Sequence, residues 1–229
     1  MKWILDLTPA ALAEENMDSD YARLEALSST DAPILRIYRW KERAATYGYF
    51  SKPEGVLREG HGLDLAKRPT GGGLLFHTED LAFSVIIPFS HPAVSRNTLA
   101  NYAFVNGCVA DALKKIHPLP YQFLTAGAAR SSFCMAEPTQ YDIMVGGKKM
   151  VGAAQRLTKQ GLLHQGSIAL RPIPRVHLER WLQDPTLADT MESNSCFLLG
   201  PGEEKTRRED VIHELIASFR SDLYNQHTR

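Results

Sequence analysis

Apolar positions along the chain change period several times, and each change marks an element. From Ala10 to Leu27, residues Ala13, Met17, Tyr21, Leu24 and Leu27 recur at steps of three and four, the period of one helix face, before Asp31-Ala32-Pro33 ends the run. Ile34 to Trp40 then alternates and is rich in β-branched and aromatic residues, which predicts a strand, and a second short strand is expected near Ala45 to Phe50. After the polar stretch from Lys52 to Asp64, the segment KRPTGGGLLFH passes through three glycines into apolar residues, a loop followed by a strand. Leu81 to Pro88 reads as a buried strand. Asn97 or Thr98 caps a long helix with Leu99, Tyr102, Val105, Val109, Ala112 and Ile116 on one stripe, stopped at His117-Pro118. Between Tyr121 and Leu170 the pattern returns to strands: YDIMV, a Gly146-Gly147 hairpin signal, KMVGAAQRL and LLHQGSIAL. Helices are predicted over Val176 to Trp181 and Glu209 to Leu223. Strands outnumber helices and cluster after the glycine loop. The expected fold is therefore α+β, with one central mixed, largely antiparallel sheet flanked by helices, rather than a doubly wound parallel sheet.

Composition narrows the function classes. The 229 residues hold 26 Lys+Arg against 26 Asp+Glu, so no basic surplus points to nucleic acid or to a membrane surface. The longest apolar run, around Leu81 to Phe89, is far short of the ~20 residues of a membrane span. At the N-terminus, Asp6 and Glu14-Glu15 break the apolar run unlike a secretory leader, so the segment reads as mature, cytoplasmic sequence. Three cysteines, Cys108, Cys134 and Cys196, show no C-x-x-C spacing and support neither a disulfide framework nor a zinc site, so no metal is expected. Cys108, between Val105 and Val109, reads as a core residue, and Cys196 as structural.

Two constellations hold candidate chemistry. Gly71, Gly72 and Gly73 allow close backbone approach to a ligand, with Lys67 and Arg68 before them and His77 after. The spacing is neither that of a nucleotide P-loop nor that of a dinucleotide fingerprint. Further on, Cys134 lies outside any periodic apolar face, beside Arg130, Ser131 and Ser132, and Lys148-Lys149 follow on the next strand, where alternation sends one lysine to each face. A thiol becomes a nucleophile only when a cation or helix terminus favours its thiolate, so Cys134 with a nearby lysine is a candidate pair.

Four segments in order, LRIYRW, KRPTGGGLLFH, YDIMVGGKKMVGAAQR and LLHQGSIAL, resemble the signature blocks of the lipoate-protein ligase and lipoyl/octanoyl transferase family. The family's glycine block, Arg-Arg-x-Ser/Thr-Gly-Gly-Gly, an apolar pair and His, is matched by Lys67, Arg68, Thr70, Gly71, Gly72, Gly73 and His77. Its lysine block, Gly-Arg/Lys-Lys-x-x-Gly-Ser/Ala-Ala, is matched by Gly147, Lys148, Lys149, Gly152, Ala153 and Ala154. Cys134 stands four residues before Pro138 and eight before Asp142, the spacing of the family's cysteine acyltransferases, whereas its ATP-using ligases usually show Arg-Asn-Asp there. Thr78 replaces the Asp that many members have after the His, and Gly73 is similar to the ligase form of the loop.

The resemblance implies an α+β catalytic domain related to biotin ligases, covering residues 1–229, with family blocks at about 10–170 and a helical part at about 175–229. It implies an acyltransferase that moves an octanoyl or lipoyl group through a thioester on Cys134 to a lysine of a lipoyl domain. Acceptors would be the lipoyl domains of 2-oxoacid dehydrogenase complexes or the glycine-cleavage H protein, with acyl carrier protein as one possible donor, and no cofactor would be required. The alternatives are an ATP-dependent lipoate-protein ligase, needing ATP and Mg, and a non-catalytic lipoyl-domain-binding relative. The 59 residues beyond Leu170 are too few for the accessory domain of many ligases, which favours transfer. On this resemblance Lys149 is the family lysine, and Gly71 to Gly73 wall an acyl tunnel lined by Leu74, Leu75, Val151 and Ala153. Arg68, His77, Gly152, Ala153 and His164 would contact substrate, with a structural role open for His77 and His164 and a surface ion pair open for Arg68.

Overall fold

The computed structural model describes residues 3–123, 142–200 and 205–226. In chain order these form β1 (Ile4–Leu7), α1 (Ala13–Glu25), β2 (Ile34–Tyr38), β3 (Ala44–Tyr47), β4 (Asp64–Lys67), β5 (Leu75–His77), β6 (Asp80–Pro88) and α2 (Thr98–Ile116). There follow β7 (Tyr121–Phe123), β8 (Ile143–Val145), β9 (Lys148–Leu157), β10 (Gly161–Ala169), α3 (Arg175–Trp181), α4 (Thr186–Asn194) and α5 (Lys205–Gln226). Seven strands make one sheet in the order β1-β2-β6-β10-β9-β8-β7. Only the β1–β2 pair is parallel, so the sheet is mixed and largely antiparallel as the sequence predicts.

A second sheet, β4-β3-β5, is an addition to the single sheet expected. Its strands are only three or four residues long, and β4 begins inside what reads as a polar loop. Such short strands carry too few alternations to register as a period. They are stabilised by what covers them: Ala45, Leu74 and Phe76 pack with Leu178, Trp181 and Leu182 of the α3 region and Ala188 and Met191 of α4.

The large sheet is buried on both faces. Leu35 and Ile37 of β2, Phe83, Val85 and Ile87 of β6, and Leu162 and Ile168 of β10 turn toward Val105, Val109 and Leu113 of α2 and Val211, Leu215 and Phe219 of α5. Cys108 sits in that core, 1% exposed. The opposite face carries Arg36, Ser84 and Gln165, all of which hydrogen-bond to residues of α1. Helix α1 buries Ala13, Met17 and Leu24 of the predicted stripe, with Leu27 just beyond its end, but it adds two polar residues to that face. Tyr21 is exposed, while Asn16 and Asp20 are fully buried because the sheet beneath them presents a buried arginine. The Arg36 guanidinium donates to Asp20 Oδ1 at 2.7 Å and to Asn16 Oδ1 at 2.7 Å, and Nε donates to Thr8 Oγ1 at 2.8 Å. Among the described residues no helix is long and apolar enough to cross a membrane.

Candidate active site

The glycine-rich segment links β4 to β5 and is held from both sides. From inside, Arg68 is 5% exposed and donates through Nη1 to the Thr46 carbonyl and hydroxyl at 2.8 and 2.7 Å. Its Nη2 donates to the Gly71 and Gly73 carbonyls at 3.1 and 2.7 Å. From outside, the Tyr49 amide donates to the Thr70 carbonyl at 2.8 Å and Ser51 Oγ to the Gly72 carbonyl at 2.7 Å. Arg68 is thus a staple of the loop and not a surface pair: a buried guanidinium is stable only when its N–H groups meet acceptors, and the loop carbonyls supply them.

Lys149 lies at the start of β9, just after the Gly146-Gly147 hairpin, whose residues have φ of 56° and 78° as a primed turn requires. Its side chain is 9% exposed and its ammonium stands 2.8 Å from the Asp142 carboxylate, itself 2% exposed. Gly152, three residues on, makes room for it: a Cβ there would lie 2.7 Å from Lys149 Cε and 3.0 Å from Nζ. The lysine of the block and its glycine are therefore one steric unit.

Two cavities meet at this lysine, sharing Leu75, Lys149, Gly152 and Ser167. The first runs between α1, the large sheet and the small sheet, past Met17, Tyr38, Arg68, Leu75, Ala153 and Gln165. The second is walled by Phe76, Met150, Ile173 and Phe197 and also touched by Glu79, Asp80 and Arg171. A polar chain lies along their boundary. His77 Nδ1 is 2.7 Å from Asp80 Oδ2, and His77 Nε2 is 2.7 Å from Thr46 Oγ1. Arg68 already donates to that hydroxyl, so its own proton points to Nε2, and Nδ1–H is the donor to Asp80. Ser167 Oγ donates to the same Asp80 oxygen at 2.8 Å, and the His77 ring stacks on Trp40 with centroids 4.1 Å apart. Among the described residues no cluster of three or more His, Cys, Asp or Glu could hold a metal ion.

Of the residues the sequence singles out, Arg68, His77, Lys149, Gly152 and Ala153 line the first cavity together. Cys134 lies outside the described residues, as do Pro138 and Tyr141. Gly71, Gly72 and Gly73 are not among the lining residues described; the loop turns toward Tyr49 and Ser51, and its flanks, Arg68 and Leu75, form the wall instead. Leu75 and Ala153 line the cavity as expected, whereas Leu74 and Val151 are packed in the two cores.

His164 is displaced from the role suggested for it. It is fully buried on the far face of the sheet, its ring 5.7 Å from that of Tyr102 on α2 and 6.1 Å from that of Phe83. Strand alternation gives its neighbour, Gln165, the cavity side. Gln165 accepts from Thr70 Oγ1 at 2.7 Å and donates to Asp20 Oδ2 at 2.8 Å, which fixes its amide and ties the glycine loop to α1. Sequence reasoning missed Gln165, Thr46 and Asp80. The last had a signal, a carboxylate three residues after His77 at the mouth of a buried strand.

Comparison with known proteins adds names to this geometry. The family model described as lipoyl protein ligase A/B catalytic domain matches residues 13–188. Octanoyltransferase LipM of Carboxydothermus hydrogenoformans is 31% identical over 166 residues, which cover 69% of this chain and 61% of that protein's length. Octanoyltransferase LipM of Kyrpidia tusciae is 29% identical over 270 residues, covering 97% of this chain and 98% of its own. Among solved structures, a bi-partite lipoate protein ligase from Thermoplasma acidophilum, studied with its E2 lipoyl domain, superposes with a TM-score of 0.76 at 22% identity, covering 98% of this chain and 84% of the other.

Proposed function

Because the chain belongs to the lipoyl protein ligase A/B catalytic-domain family, we propose that it is an acyltransferase that moves an octanoyl or lipoyl group from a thioester donor, through Cys134, to a lysine of a lipoyl domain. We take residues 1–229 as one catalytic domain acting in the cytoplasm, where the free thiols of Cys108 and Cys196 are at home. The observation that carries the reading is the Lys149–Asp142 pair, buried at the junction of two cavities, one of them bordered by Met17, Leu75 and Ala153. A fixed ammonium in a water-poor cleft stabilises the oxyanion of a tetrahedral intermediate and favours an ionised thiol beside it. An eight-carbon chain suits the cavity, each buried methylene contributing ~0.8 kcal/mol. Relatives named octanoyltransferase at about 30% identity support acyl transfer as the chemistry.

In this scheme the Cys134 thiolate attacks the donor thioester, and the acyl-enzyme thioester keeps the group activated, so ATP is not consumed. Acceptors are the lipoyl domains of 2-oxoacid dehydrogenase complexes or the glycine-cleavage H protein, and acyl carrier protein is a suitable donor. The second reading, an ATP- and Mg-dependent ligase, draws support from Gly73, which gives the loop its ligase form.

Incubation with an octanoyl thioester and a lipoyl domain, with and without ATP, tests the reading by intact mass. The wild type is expected to gain a hydroxylamine-labile octanoyl group without ATP and pass it on, and Cys134→Ser to lose both steps. Lys149→Ala should slow transfer roughly 10²- to 10³-fold, the loss of one oxyanion donor. An active, ATP-dependent Cys134→Ser enzyme would establish the ligase mechanism instead.

A further inference from the structure

The second cavity has a chemistry of its own. Phe76, Met150, Ile173 and Phe197 give it apolar walls, and its polar edge carries Asp80, only 8% exposed, beside Glu79 and Arg171. The Asp80 carboxylate is half engaged. Oδ2 accepts from both His77 Nδ1 and Ser167 Oγ, while Oδ1 accepts no hydrogen bond from any described residue. The nearby Arg208 donates to the Asp80 backbone carbonyl at 2.8 Å, so Oδ1 keeps its acceptor capacity, and a carboxylate oxygen without a donor on a cavity-lining residue is matched by a cationic N–H group. The apolar walls in turn match a short methylene chain leading to that cation. On the side shared with the first cavity stands Lys149.

We propose that this second cavity receives the acceptor's lysine side chain, its four methylenes along Phe76, Met150, Ile173 and Phe197 and its ε-ammonium at Asp80 Oδ1. The inference rests on the acyl-transfer reading and names the entry of its second substrate. Asp80 takes one proton from the ammonium and becomes a carboxylic acid, leaving a neutral amine. The nearby Lys149 charge favours that loss, since a like charge disfavours the ammonium form. The amine nitrogen then bonds to the acyl carbonyl carbon presented from the first cavity, and the carbon–sulfur bond breaks. The departing sulfur takes the second amine proton, and Asp80 returns its proton to solvent. His77 and Ser167 act as positioning residues that keep Oδ1 turned to the cavity.

Methyl NMR on the full chain tests the site apart from turnover. Nα-acetyl-lysine methylamide should shift the Ile173 and Leu75 methyl resonances, and its uncharged norleucine counterpart should bind about tenfold more weakly or worse, the loss of one charge-assisted bond. Asp80→Asn should weaken the lysine analogue by a similar factor. Ile173→Trp, which fills the cavity from the opposite wall, should abolish its binding even if Asp80→Asn fails to fold. With octanoyl-loaded enzyme, Ile173→Trp should block discharge to the lysine analogue and leave discharge to hydroxylamine, a nucleophile small enough to pass. Equal binding of lysine and norleucine analogues, or ATP shifting these methyls where lysine does not, would overturn the proposal. Absence of any acyl-enzyme in the wild type would count against the acyl-transfer reading alone, because the binding measurements would still decide the occupant of the cavity.

Discussion

At the scale of single residues, the two faces of β10 carry opposite demands, and adjacent positions show it. Gln165 is hydrogen-bonded at both ends of its amide and lines a cavity. His164, one step along, has Nδ1 2.7 Å from Gln155 Nε2, while its Nε2 is buried without a partner. Burial alone holds its pKa down at about 3, because the protonated ring has no solvent or acid to receive its charge. The unfolded chain titrates this histidine near 6.5, so between about pH 6.5 and 3 the unfolded state binds a proton that the folded state refuses. Its contribution to stability is complete above pH 6.5 and is lost as the pH falls toward 3. Urea unfolding at pH 7 and pH 5 should show about 2 kcal/mol less stability at pH 5 from this group, at 1.36 kcal/mol per unit below 6.5. His164→Gln should lose that pH dependence, and an unchanged slope in the variant would assign it elsewhere. The sequence points to a histidine in the LLHQGSIAL block but not to its face. A one-residue shift in register exchanges His164 and Gln165, and register is set by pairing with β6 and β9.

At the scale of elements, legibility follows length and the source of stability. Helix α2 and strands β6, β9 and β10 repeat their period often enough to be read directly, and their boundaries agree with the sequence to within a few residues. Strands β1 and β4, of four residues each, and helix α4 show too little repetition, and they exist because longer neighbours cover them. Helix α1 is legible as a helix and, apart from Tyr21, in its apolar stripe, but not in the polar residues it buries beside that stripe. Its buried face is partly polar, since Asn16 and Asp20 answer Arg36 from the sheet. The Asp20 carboxylate also accepts from Ser84 at 2.7 Å and from Gln165 at 2.8 Å, so one side chain joins α1 to β2, β6 and β10. Asp20→Ala would leave Arg36 charged and fully buried without its ion partner. A loss of about 3–5 kcal/mol in unfolding free energy is expected, measurable by denaturant titration. Replacing Asp20 and Arg36 together with apolar residues should recover much of it, because no unpaired charge would remain. A double variant as unstable as the single one would show that the pair serves more than charge balance.

At the scale of the whole molecule, the first cavity belongs to no single element. Met17 comes from α1, Tyr38 and Gln165 from the large sheet, and Thr46 and Leu75 from the small one. These three bodies meet there, joined by Thr70–Gln165 and by the Ala13 amide donating to Asp64 of β4 at 2.6 Å. A ligand seated among them binds the assembled state and not the unfolded one, so its binding energy adds to folding stability. At a hundredfold excess over Kd that gain is about 2.7 kcal/mol. For a chain of this size, at roughly 2–4 °C per kcal/mol, the melting temperature should rise by about 5–10 °C. Octanoic acid should produce this shift. Butyric acid, four methylenes shorter and therefore about 3 kcal/mol weaker, should need more than a hundredfold higher concentration to do the same. Met17→Trp, which fills the cavity from the α1 side, should remove the octanoate shift while the protein still melts cooperatively. Equal shifts from the two acids in differential scanning fluorimetry would mean that the chain does not enter the cavity, and an octanoate shift surviving in Met17→Trp would place the acyl group elsewhere on the molecule.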